Sequence, residues 1–371
     1  MIETEQLTKK DIKNSKLISS VLAGERRFGF LLGDCIEILK EIPDESIDCV
    51  ITSPPYWQLR EYDVKDEHQS VLIGYEDDPN DYVKNLVTVF SQVKRVLKPD
   101  GSLWLNLGDK FKNKNLMLMP ARVAIAMQDD GWVLRGDIIW DQMKGTQSAQ
   151  DRMRDVYEHV YHFVKTRKYF FDADAVKIKP QKNASLVNGS ITSATGVTGK
   201  KYKEHIAAST VLSEQEKQNA LNALDEILAK MKRGEIVDFR MTIRGAQRSY
   251  HSESTKISGR AKELETKGYF FLMMKSSGFM PADVWRIVPE DKWRKDAHCA
   301  VFPEELLQTP INGTSRPGGI VLDPFSGTGS TVCAALKLGR RGIGIDLSKS
   351  YLDISETRIK EAFNGTYKLL L

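Results

Sequence analysis

The sequence reads IVLDPFSGTGSTVCAALK from Ile320 to Lys337: an apolar run, a glycine-containing turn and a helical pattern. Within this glycine turn (residues 323–331), Gly327 and Gly329 permit positive φ angles and close approach of a ligand to the main chain. The next apolar run ends at Asp346, whose carboxylate can accept hydrogen bonds from ribose hydroxyls. This order of strand, turn, helix, strand and acid is typical of an α/β sheet that holds a nucleoside-bearing cofactor.

Two better-known glycine motifs do not fit this turn. It lacks the full G-x-G-x-x-G of dinucleotide-binding proteins and the G-K-[ST] of a phosphate-binding loop. Because Gly327, Gly329 and Asp346 partly imitate a dinucleotide site, a nucleotide-dependent dehydrogenase stays open as an alternative. An ordinary tight turn is compatible with the glycines alone.

The α/β pattern extends over most of the chain. Strand-like apolar runs alternate with helical patterns up to about Val176 and again from Gly319 onward. Such alternation predicts parallel β-α-β units with helices on both faces of the sheet. The predicted strands are 28–32, 47–52, 102–107, 132–140, 157–165, 320–322 and 342–345, and the predicted helices are 35–42, 81–97, 119–128, 213–233 and 331–337. A turn is predicted at 98–101, where the sequence is Lys-Pro-Asp-Gly.

The interruption between these two α/β segments is basic. Ala175 to Lys295 contains 22 Lys and Arg against 13 Asp and Glu, whereas the rest of the chain has five more acidic than basic residues, for a net charge of +4 overall. A basic insertion predicts contact with a polyanion, although a solvated basic surface explains the charge equally well. The predicted segments are an N-terminal extension (1–27), a first α/β segment (28–176), an insertion (177–280) and a second α/β segment (281–371).

Composition narrows the class of protein. The 371 residues, 41% of them apolar, suffice for a large core, and no apolar run is long enough for a membrane span. The N-terminal ten residues are too polar for a secretory signal. The four cysteines, Cys35, Cys49, Cys299 and Cys333, form no C-x-x-C pair, which fits neither a zinc site nor a disulfide framework. We expect a cytoplasmic protein without a structural metal.

A second motif, the proline turn (Ser53-Pro54-Pro55-Tyr56), directly follows a buried apolar run. This position is the active edge of an open α/β sheet. Proline donates no hydrogen bond, so the Pro54 carbonyl is left free to accept one, and Ser53 adds a second acceptor. With the flat rings of Tyr56 and Trp57, these acceptors suit a planar ring that bears an exocyclic amino group. Alone, the tetrapeptide would be an ordinary proline-rich loop.

Together the motifs resemble a known family, the DNA amino-methyltransferases that transfer a methyl group from S-adenosylmethionine to cytosine N4 or adenine N6. The proline turn resembles the family's catalytic motif, and the glycine turn resembles its cofactor loop. Their order along the chain is that of the circularly permuted β group. The resemblance covers about residues 28–176 and 281–358, and implies an α/β, Rossmann-like methyltransferase fold with a mostly parallel twisted sheet. It also implies that 177–280 is a target-recognition insertion.

The resemblance implies roles for individual residues. The catalytic residues would be Ser53, Pro54, Pro55 and Tyr56. The cofactor would be bound by the glycine-turn residues Asp323, Pro324, Phe325, Ser326, Gly327, Thr328 and Gly329, by Asp346 at the ribose and by Asp34 at the adenine amino group. His298-Cys299-Ala300-Val301-Phe302-Pro303 is similar to a family element that walls the methionine end of the cofactor, which implicates His298, Phe302 and Pro303. Asp283-Val284-Trp285 also matches a family signature.

The implied reaction is direct displacement of the sulfonium methyl by an amino nitrogen. Acceptance of the amino hydrogens by Ser53 Oγ and the Pro54 carbonyl would free the nitrogen lone pair. The base must leave the duplex, and we expect it to stack on Tyr56, with Trp57 as a second face. Ser rather than Asp before Pro-Pro-Tyr favours cytosine N4 in this family, and adenine N6 is the alternative.

The partners follow from the same resemblance. We expect double-stranded DNA to contact Arg240, Arg244, Arg248 and Arg260 of the insertion. We also expect the protein to form a homodimer, to act beside a separate cognate restriction endonuclease, and to be associated with the nucleoid. Alternatively, these arginines are solvated side chains without a DNA contact, or the protein binds DNA without catalysing a reaction. Asn106 and Asp109 either line the base pocket or cap a strand. Glu158 and His159 are interpreted as a pair without a ligand role.

Overall fold

The structure is a computed structural model that describes residues 9–59, 73–143, 150–178, 185–187, 190–192, 199–245, 259–289, 301 and 303–370. The chain forms two compact units: unit 1 comprises Met1–Ala175 and Ala282–Leu371, and unit 2 comprises Val176–Pro281. Each bound of unit 2 lies one residue outside the predicted insertion. Among the described residues, no helix has the length and apolar character that a bilayer crossing requires.

The strands and helices follow one another in the order that the sequence pattern predicts for an interrupted α/β domain. The strands are β1 (Phe28–Leu32), β2 (Ile47–Thr52), β3 (Leu97–Leu107), β4 (Phe111–Lys112), β5 (Asn115–Leu116), β6 (Val133–Asp141), β7 (Tyr157–Val164), β8 (Ser185–Val187), β9 (Ser190–Thr192), β10 (Ile236–Ile243), β11 (Tyr269–Lys275), β12 (Val284–Arg286), β13 (Ile320–Asp323) and β14 (Arg341–Asp346). The helices are α1 (Lys9–Ala23), α2 (Cys35–Glu41), α3 (Pro79–Val96), α4 (Met119–Asp129), α5 (Ala173–Val176), α6 (Gly199–Ala207), α7 (Glu214–Lys232), α8 (Gly259–Lys267), α9 (Glu304–Thr314), α10 (Ser330–Lys337) and α11 (Lys349–Ala362), and a short 3-10 helix covers Tyr367–Leu370.

Unit 1 is organised around an eight-stranded sheet in the order β1-β14-β13-β2-β3-β7-β6-β12. The five strands from β1 to β3 pair in parallel, β7 is antiparallel to both of its neighbours, and β12 pairs in parallel with β6. All residues of β2 and β13 are buried, as expected for central strands covered on both faces. This mostly parallel α/β sheet confirms the predicted fold class.

Two local expectations for unit 1 need correction. The predicted turn at 98–101 lies within β3, where the pairing with β2 shifts from Ile47–Leu97 to Cys49–Ser102, so the Pro-Gly segment forms a bulge rather than an end of the strand. The N-terminal extension contains α1, whose Ile18 and Val21 are buried in the main core. Helix α1 is therefore part of unit 1.

Unit 2 has its own small core. Helix α7 begins with a capping box, in which Ser213 and Glu216 each accept a hydrogen bond from the other's backbone N–H. Its buried apolar side chains pack with the antiparallel pair of strands β10 and β11. The pairing of β10 with β11 was not predicted, because the insertion was characterised by its basic charge and no strand was assigned to it. The buried residues of β10 are Ile236, Phe239, Met241 and Ile243.

Candidate active site

The proline turn and the glycine turn lie at the same edge of the sheet. They follow β2 and β13, which are adjacent parallel strands paired through Cys49–Val321 and Val50–Leu322. The carboxyl ends of adjacent parallel strands meet at one edge, where open α/β sheets place their ligand sites. Residues 270 positions apart in sequence are thus brought together by strand pairing.

Asp323 joins the two turns. Its Oδ1 accepts hydrogen bonds from the Thr52 hydroxyl at 2.6 Å and from the Phe325 backbone N–H at 3.0 Å, and its Oδ2 accepts from the Thr331 hydroxyl at 2.7 Å. The side chain is 1% exposed, and burial raises its pKa to about 6 although these hydrogen bonds oppose the rise. Asp323 therefore ties the start of the glycine turn to the residue before Ser53.

The glycine turn is closed by Asp346. Gly327 and Gly329 have φ angles of 51° and 74°, and a Cβ at Gly329 would lie 2.8 Å from the side chain of Ser355. The Gly327 backbone N–H donates to Asp346 Oδ2 and the Ser348 N–H donates to Oδ1, both at 2.8 Å. Burial raises the pKa of Asp346 to about 7. Both glycines have φ angles that a residue with a side chain adopts only with strain. At Gly329 the side chain of Ser355 also leaves no space for a Cβ atom.

The residues around the glycine turn fit the nucleoside end of a cofactor. Ser326 Oγ is buried and has no hydrogen-bond partner among the described residues, as expected of a group that a ligand would satisfy. A Cβ at Gly344, on the neighbouring strand, would lie 2.4 Å from that oxygen. Each oxygen of Asp346 accepts one backbone hydrogen bond and retains lone-pair capacity for a ribose hydroxyl.

Asp34 lies beside Asp346 through strand pairing. Leu32 pairs with Asp346, and the Gly33 N–H donates to the Asp346 carbonyl at 3.0 Å. The Asp34 side chain caps α2 through Oδ1, which accepts from the backbone N–H groups of Ile36 and Glu37. The structure therefore brings the predicted adenine and ribose ligands to adjacent strand ends, with one Asp34 oxygen used by the helix.

The predicted wall of the methionine end is described only in part. His298 and Phe302 lie outside the described residues. Pro303 is the N-cap residue of α9, and the following Glu304 pairs with Arg358 at 2.9 Å and with Lys337 at 2.7 Å. These ion pairs attach the start of α9 to α11 and α10.

A hydrogen-bonded network surrounds the catalytic candidate Ser53. Its hydroxyl donates to Tyr56 Oη at 3.2 Å, and Tyr56 Oη donates to Glu158 Oε2 at 2.5 Å. Asn106 Nδ2 donates to Tyr56 Oη and to Glu158 Oε2, both at 2.7 Å, with a longer contact of 3.4 Å to Ser53 Oγ. Gln142 Nε2 donates to the other oxygen of Glu158 at 2.9 Å. Because the hydrogen of Ser53 is engaged by Tyr56 and the contact from Asn106 is long, the Ser53 oxygen keeps lone-pair capacity for a substrate.

Glu158 is the residue of this network that the sequence interpretation set aside. It is the second residue of the antiparallel strand β7, which pairs with β3 through Leu107–His159, and so lies near the carboxyl edge of the parallel strands. An acidic residue near the start of a largely buried strand was the available signal. The neighbouring His159 instead pairs with Asp137 at 2.8 Å, and Asp109 accepts from the Met119 N–H, which favours its capping interpretation.

The carbonyl groups of the two prolines, and the ring of the neighbouring Trp57, differ in whether they already have partners. No donor among the described residues bonds the Pro54 carbonyl, whereas the Pro55 carbonyl accepts from the Tyr82 hydroxyl at 2.9 Å. Trp57 is 1% exposed, donates its indole N–H to the Glu76 carbonyl, and lies under Lys112. The expectation that Trp57 offers a free face to the base is therefore wrong in this structure.

The predicted DNA contacts of unit 2 also differ. Arg240 is exposed and lines a surface groove together with Lys275 and Phe279. Arg260 is exposed on α8, and Arg248 lies outside the described residues. Arg244, in contrast, pairs with Glu216 at 2.9 Å and donates to the carbonyls of Val211 and Glu265, contacts that hold unit 2 together. Nothing in its contacts favours a DNA-binding role.

Comparison with known proteins places this site in a family. The model of a DNA methylase family, the N6/N4 methyltransferases, matches residues 47–357. The chain is similar to the Type II methyltransferase M.SfiI of Streptomyces fimbriatus (29% identical over 385 positions, covering 88% of this chain and 89% of the relative) and to M.SmaI of Serratia marcescens (27% over 387 positions, 96% and 94%).

Among solved structures, the chain is similar to PvuII DNA methyltransferase (cytosine-N4-specific), with a TM-score of 0.54 and 18% identity over 90% of this chain and 86% of that one. At this identity the likeness supports the methyltransferase fold. The family match leaves no support for the dehydrogenase alternative. The chain belongs to the N6/N4 family of DNA methylases.

Proposed function

We propose that this DNA methyltransferase modifies the exocyclic N4 of cytosine and uses S-adenosylmethionine as methyl donor. The observation that carries the proposal is the hydrogen bond from Ser53 to Tyr56 within the proline turn. It orients the Ser53 oxygen as an acceptor, which is what an amino group requires. Serine at this position, where related enzymes also use Asp or Asn, favours cytosine over adenine.

Catalysis in this proposal consists of positioning. S-adenosylmethionine, when bound, supplies an electrophilic methyl group on a sulfonium. Ser53 Oγ and the Pro54 carbonyl accept the two amino hydrogens, so the nitrogen lone pair is withdrawn from the ring and can point at the methyl group. Correct placement of two bound reactants contributes about 7–11 kcal/mol to such reactions. Asn106 Oδ1, a buried acceptor without a partner among the described residues, supports a polar base pocket at this point.

The cofactor is bound at the glycine turn in this proposal. Asp346 accepts the ribose hydroxyls, Asp34 accepts the adenine amino group, and the residues from Pro324 to Gly329 approach the cofactor through their backbone. His298, Phe302 and Pro303 wall its methionine end. The order of the two turns along the chain supports assignment to the circularly permuted β group.

Unit 2 supplies DNA recognition in this proposal. Its excess of basic residues suits a phosphate backbone, and the exposed Arg240 and Arg260 are its described candidates for contact. Target bases reach the proline turn by flipping out of the duplex and stacking on Tyr56. A homodimer, a cognate restriction endonuclease that acts separately, and a cytoplasmic, nucleoid-associated location complete the proposal.

Nucleoside mass spectrometry of DNA from cells that express the chain tests the target base. We expect N4-methylcytosine, and none in cells that express Ser53→Ala. N6-methyladenine without N4-methylcytosine would establish the alternative base and overturn the proposal. Single-molecule sequencing of the same DNA would then give the recognition sequence.

A further inference from the structure

The network beside Ser53 ends on a carboxylate. Ser53 donates to Tyr56, and Tyr56 donates to Glu158 across 2.5 Å. We propose that Glu158 is a positioning residue for methyl transfer that takes up, through Tyr56 and Ser53, the proton that the target amino group must lose. This inference rests on the proposed function and adds to it the destination of the proton.

The hydrogen bonds set the direction of this chain. Tyr56 Oη accepts from Ser53 Oγ at 3.2 Å and from Asn106 Nδ2 at 2.7 Å. A phenol has a single hydrogen to donate, and here it points to Glu158 Oε2. A contact of 2.5 Å is at the short end of the range for an O–H donor and a carboxylate. The chain therefore runs from Ser53 to Glu158.

The two amides of the network cannot replace Glu158 in this role. Asn106 Nδ2 lies 2.7 Å from Glu158 Oε2, and since a carboxylate only accepts, the amide must present its NH2 group there. Gln142 Nε2 donates to Oε1 in the same way. Neither amide is a base, so of the side chains in this network Glu158 is the one that can store the proton. The amides hold its two oxygens in place.

The hydrogen bonds from Ser53 through Tyr56 to Glu158 account for the proton that the reaction releases. Methyl transfer forms a carbon–nitrogen bond from the nitrogen lone pair and breaks the carbon–sulfur bond, whose electron pair stays on sulfur as a thioether. The nitrogen is left with one excess proton and a positive charge. That proton passes to Ser53 Oγ while Ser53 gives its own to Tyr56 Oη and Tyr56 gives its own to Glu158. The products are a neutral methylamino group and a neutral carboxylic acid, which is partly exposed and returns the proton to water.

Two substitutions interrupt the series of hydrogen bonds from Ser53 to Glu158 with little change in side-chain shape. Glu158→Gln keeps the side-chain length and an oxygen that accepts from Tyr56 and Asn106, and Gln142 can turn its amide to pair with the new NH2 group. Tyr56→Phe keeps the ring and removes the hydroxyl in the middle of the chain. Asp137→Asn is the matched control, because it removes a carboxylate from the neighbouring strand β6 that pairs with His159 instead.

The test measures single-turnover methyl transfer to duplex DNA, together with two binding readouts: affinity for S-adenosylhomocysteine, and the fluorescence of 2-aminopurine at the target position, which reports base flipping. We expect Glu158→Gln and Tyr56→Phe each to lower the rate about 100-fold, the size of a general acid–base contribution, with both binding readouts within twofold of wild type. The double variant should be no slower than the slower single variant, because members of one chain act as a unit. Asp137→Asn should match wild type throughout.

Several outcomes would overturn the inference. They are a wild-type rate for Glu158→Gln, rate losses that multiply in the double variant, and a rate loss in Glu158→Gln that is accompanied by loss of cofactor binding and flipping. If Glu158→Gln does not fold, Tyr56→Phe decides: a wild-type rate rejects the chain, and a 100-fold loss with intact flipping supports it. A wild-type protein that transfers no methyl group would instead reject the proposed function.

Discussion

The two units of the chain use their polar side chains in opposite ways. In unit 1, Asp323 and Asn106 are buried at the sheet edge and bonded to residues from distant parts of the sequence. In unit 2, Arg240 and Arg260 are exposed, and several ion pairs, such as Lys230–Glu226, join neighbouring turns of one helix. Buried polar groups must find partners and thereby acquire one geometry, whereas exposed charges are screened and adaptable. Chemistry in this molecule requires the first arrangement, and contact with a polyanion tolerates the second.

Among the substitutions proposed here, Ser53→Ala should have the greatest effect on activity. Ser53→Ala removes an acceptor for the amino group, and loss of one such preorganised group typically lowers a rate by about 10²–10³-fold. We expect that loss in single-turnover methyl transfer, with DNA affinity within twofold of wild type. Ser209→Ala, a serine substitution in unit 2, is the control and should leave the rate unchanged. A Ser53→Ala rate close to wild type would show that the proline turn is not the catalytic centre.

A second prediction concerns the buried link between the two turns. Asp323→Ala leaves the hydroxyls of Thr52 and Thr331 without their acceptor, and each unsatisfied buried group costs about 1–3 kcal/mol. We expect the free energy of unfolding of the full chain to fall by roughly 2–6 kcal/mol in urea denaturation. Asp353→Ala, at an exposed position on α11, should change it by less than about 0.5 kcal/mol. Equal effects for the two variants would contradict the role assigned to Asp323.

The sequence predicted unit 1 better than unit 2 for a physical reason. The ends of β2 and β13 are marked by local motifs, and parallel pairing brings such ends together without further information. Glu158 was missed because it reaches Tyr56, 102 residues away, through an antiparallel strand that the β-α-β rhythm does not predict. The bulge at 98–101 was missed because Pro-Gly marks both turns and bulges.

In unit 2, exposed charged residues made the antiparallel strands β10 and β11 difficult to recognise from the sequence. Arg240 and Asp238 interrupt the apolar pattern of β10, whose buried residues are recognisable only once β11 is paired with it. The role of Arg244 depends on its pairing with Glu216, 28 residues earlier, which the sequence alone does not predict. Long-range pairing, rather than local propensity, decided these cases.

A third prediction concerns the pH dependence of cofactor binding at Asp346. Burial raises the pKa of Asp346 to about 7, and only the ionised carboxylate is a pure acceptor for ribose hydroxyls. Affinity for S-adenosylhomocysteine should therefore be nearly constant above pH 8 and fall, by up to about tenfold per unit, as the pH drops below 7. Calorimetric titration from pH 8.5 to 6 measures this, and Asp346→Asn should abolish the dependence. An affinity that is equal at pH 8 and pH 6 would argue against Asp346 as the ribose ligand.

The smallest expected effect compares two arginines of unit 2. Arg240→Ala should weaken DNA binding about threefold to tenfold and reduce the slope of log affinity against log salt by about 0.9, the value for one phosphate contact. Its thermal unfolding midpoint should not change. Arg244→Ala should lower the midpoint, because it removes the partner of Glu216, and leave the salt slope as it is. The reverse pattern would exchange the roles of these two residues.

In the proposed function, the hydrogen-bonded network at the proline turn positions cytosine N4 for methyl transfer. The most direct test of this proposal incubates the purified chain with unmethylated duplex DNA and S-adenosylmethionine carrying a trideuterated methyl group, followed by mass spectrometry of the nucleosides. We expect trideuterated N4-methylcytosine with the wild-type protein and at least 100-fold less with Ser53→Ala in the same reaction time. Label found only in N6-methyladenine, or equal label with both proteins, would contradict the proposal.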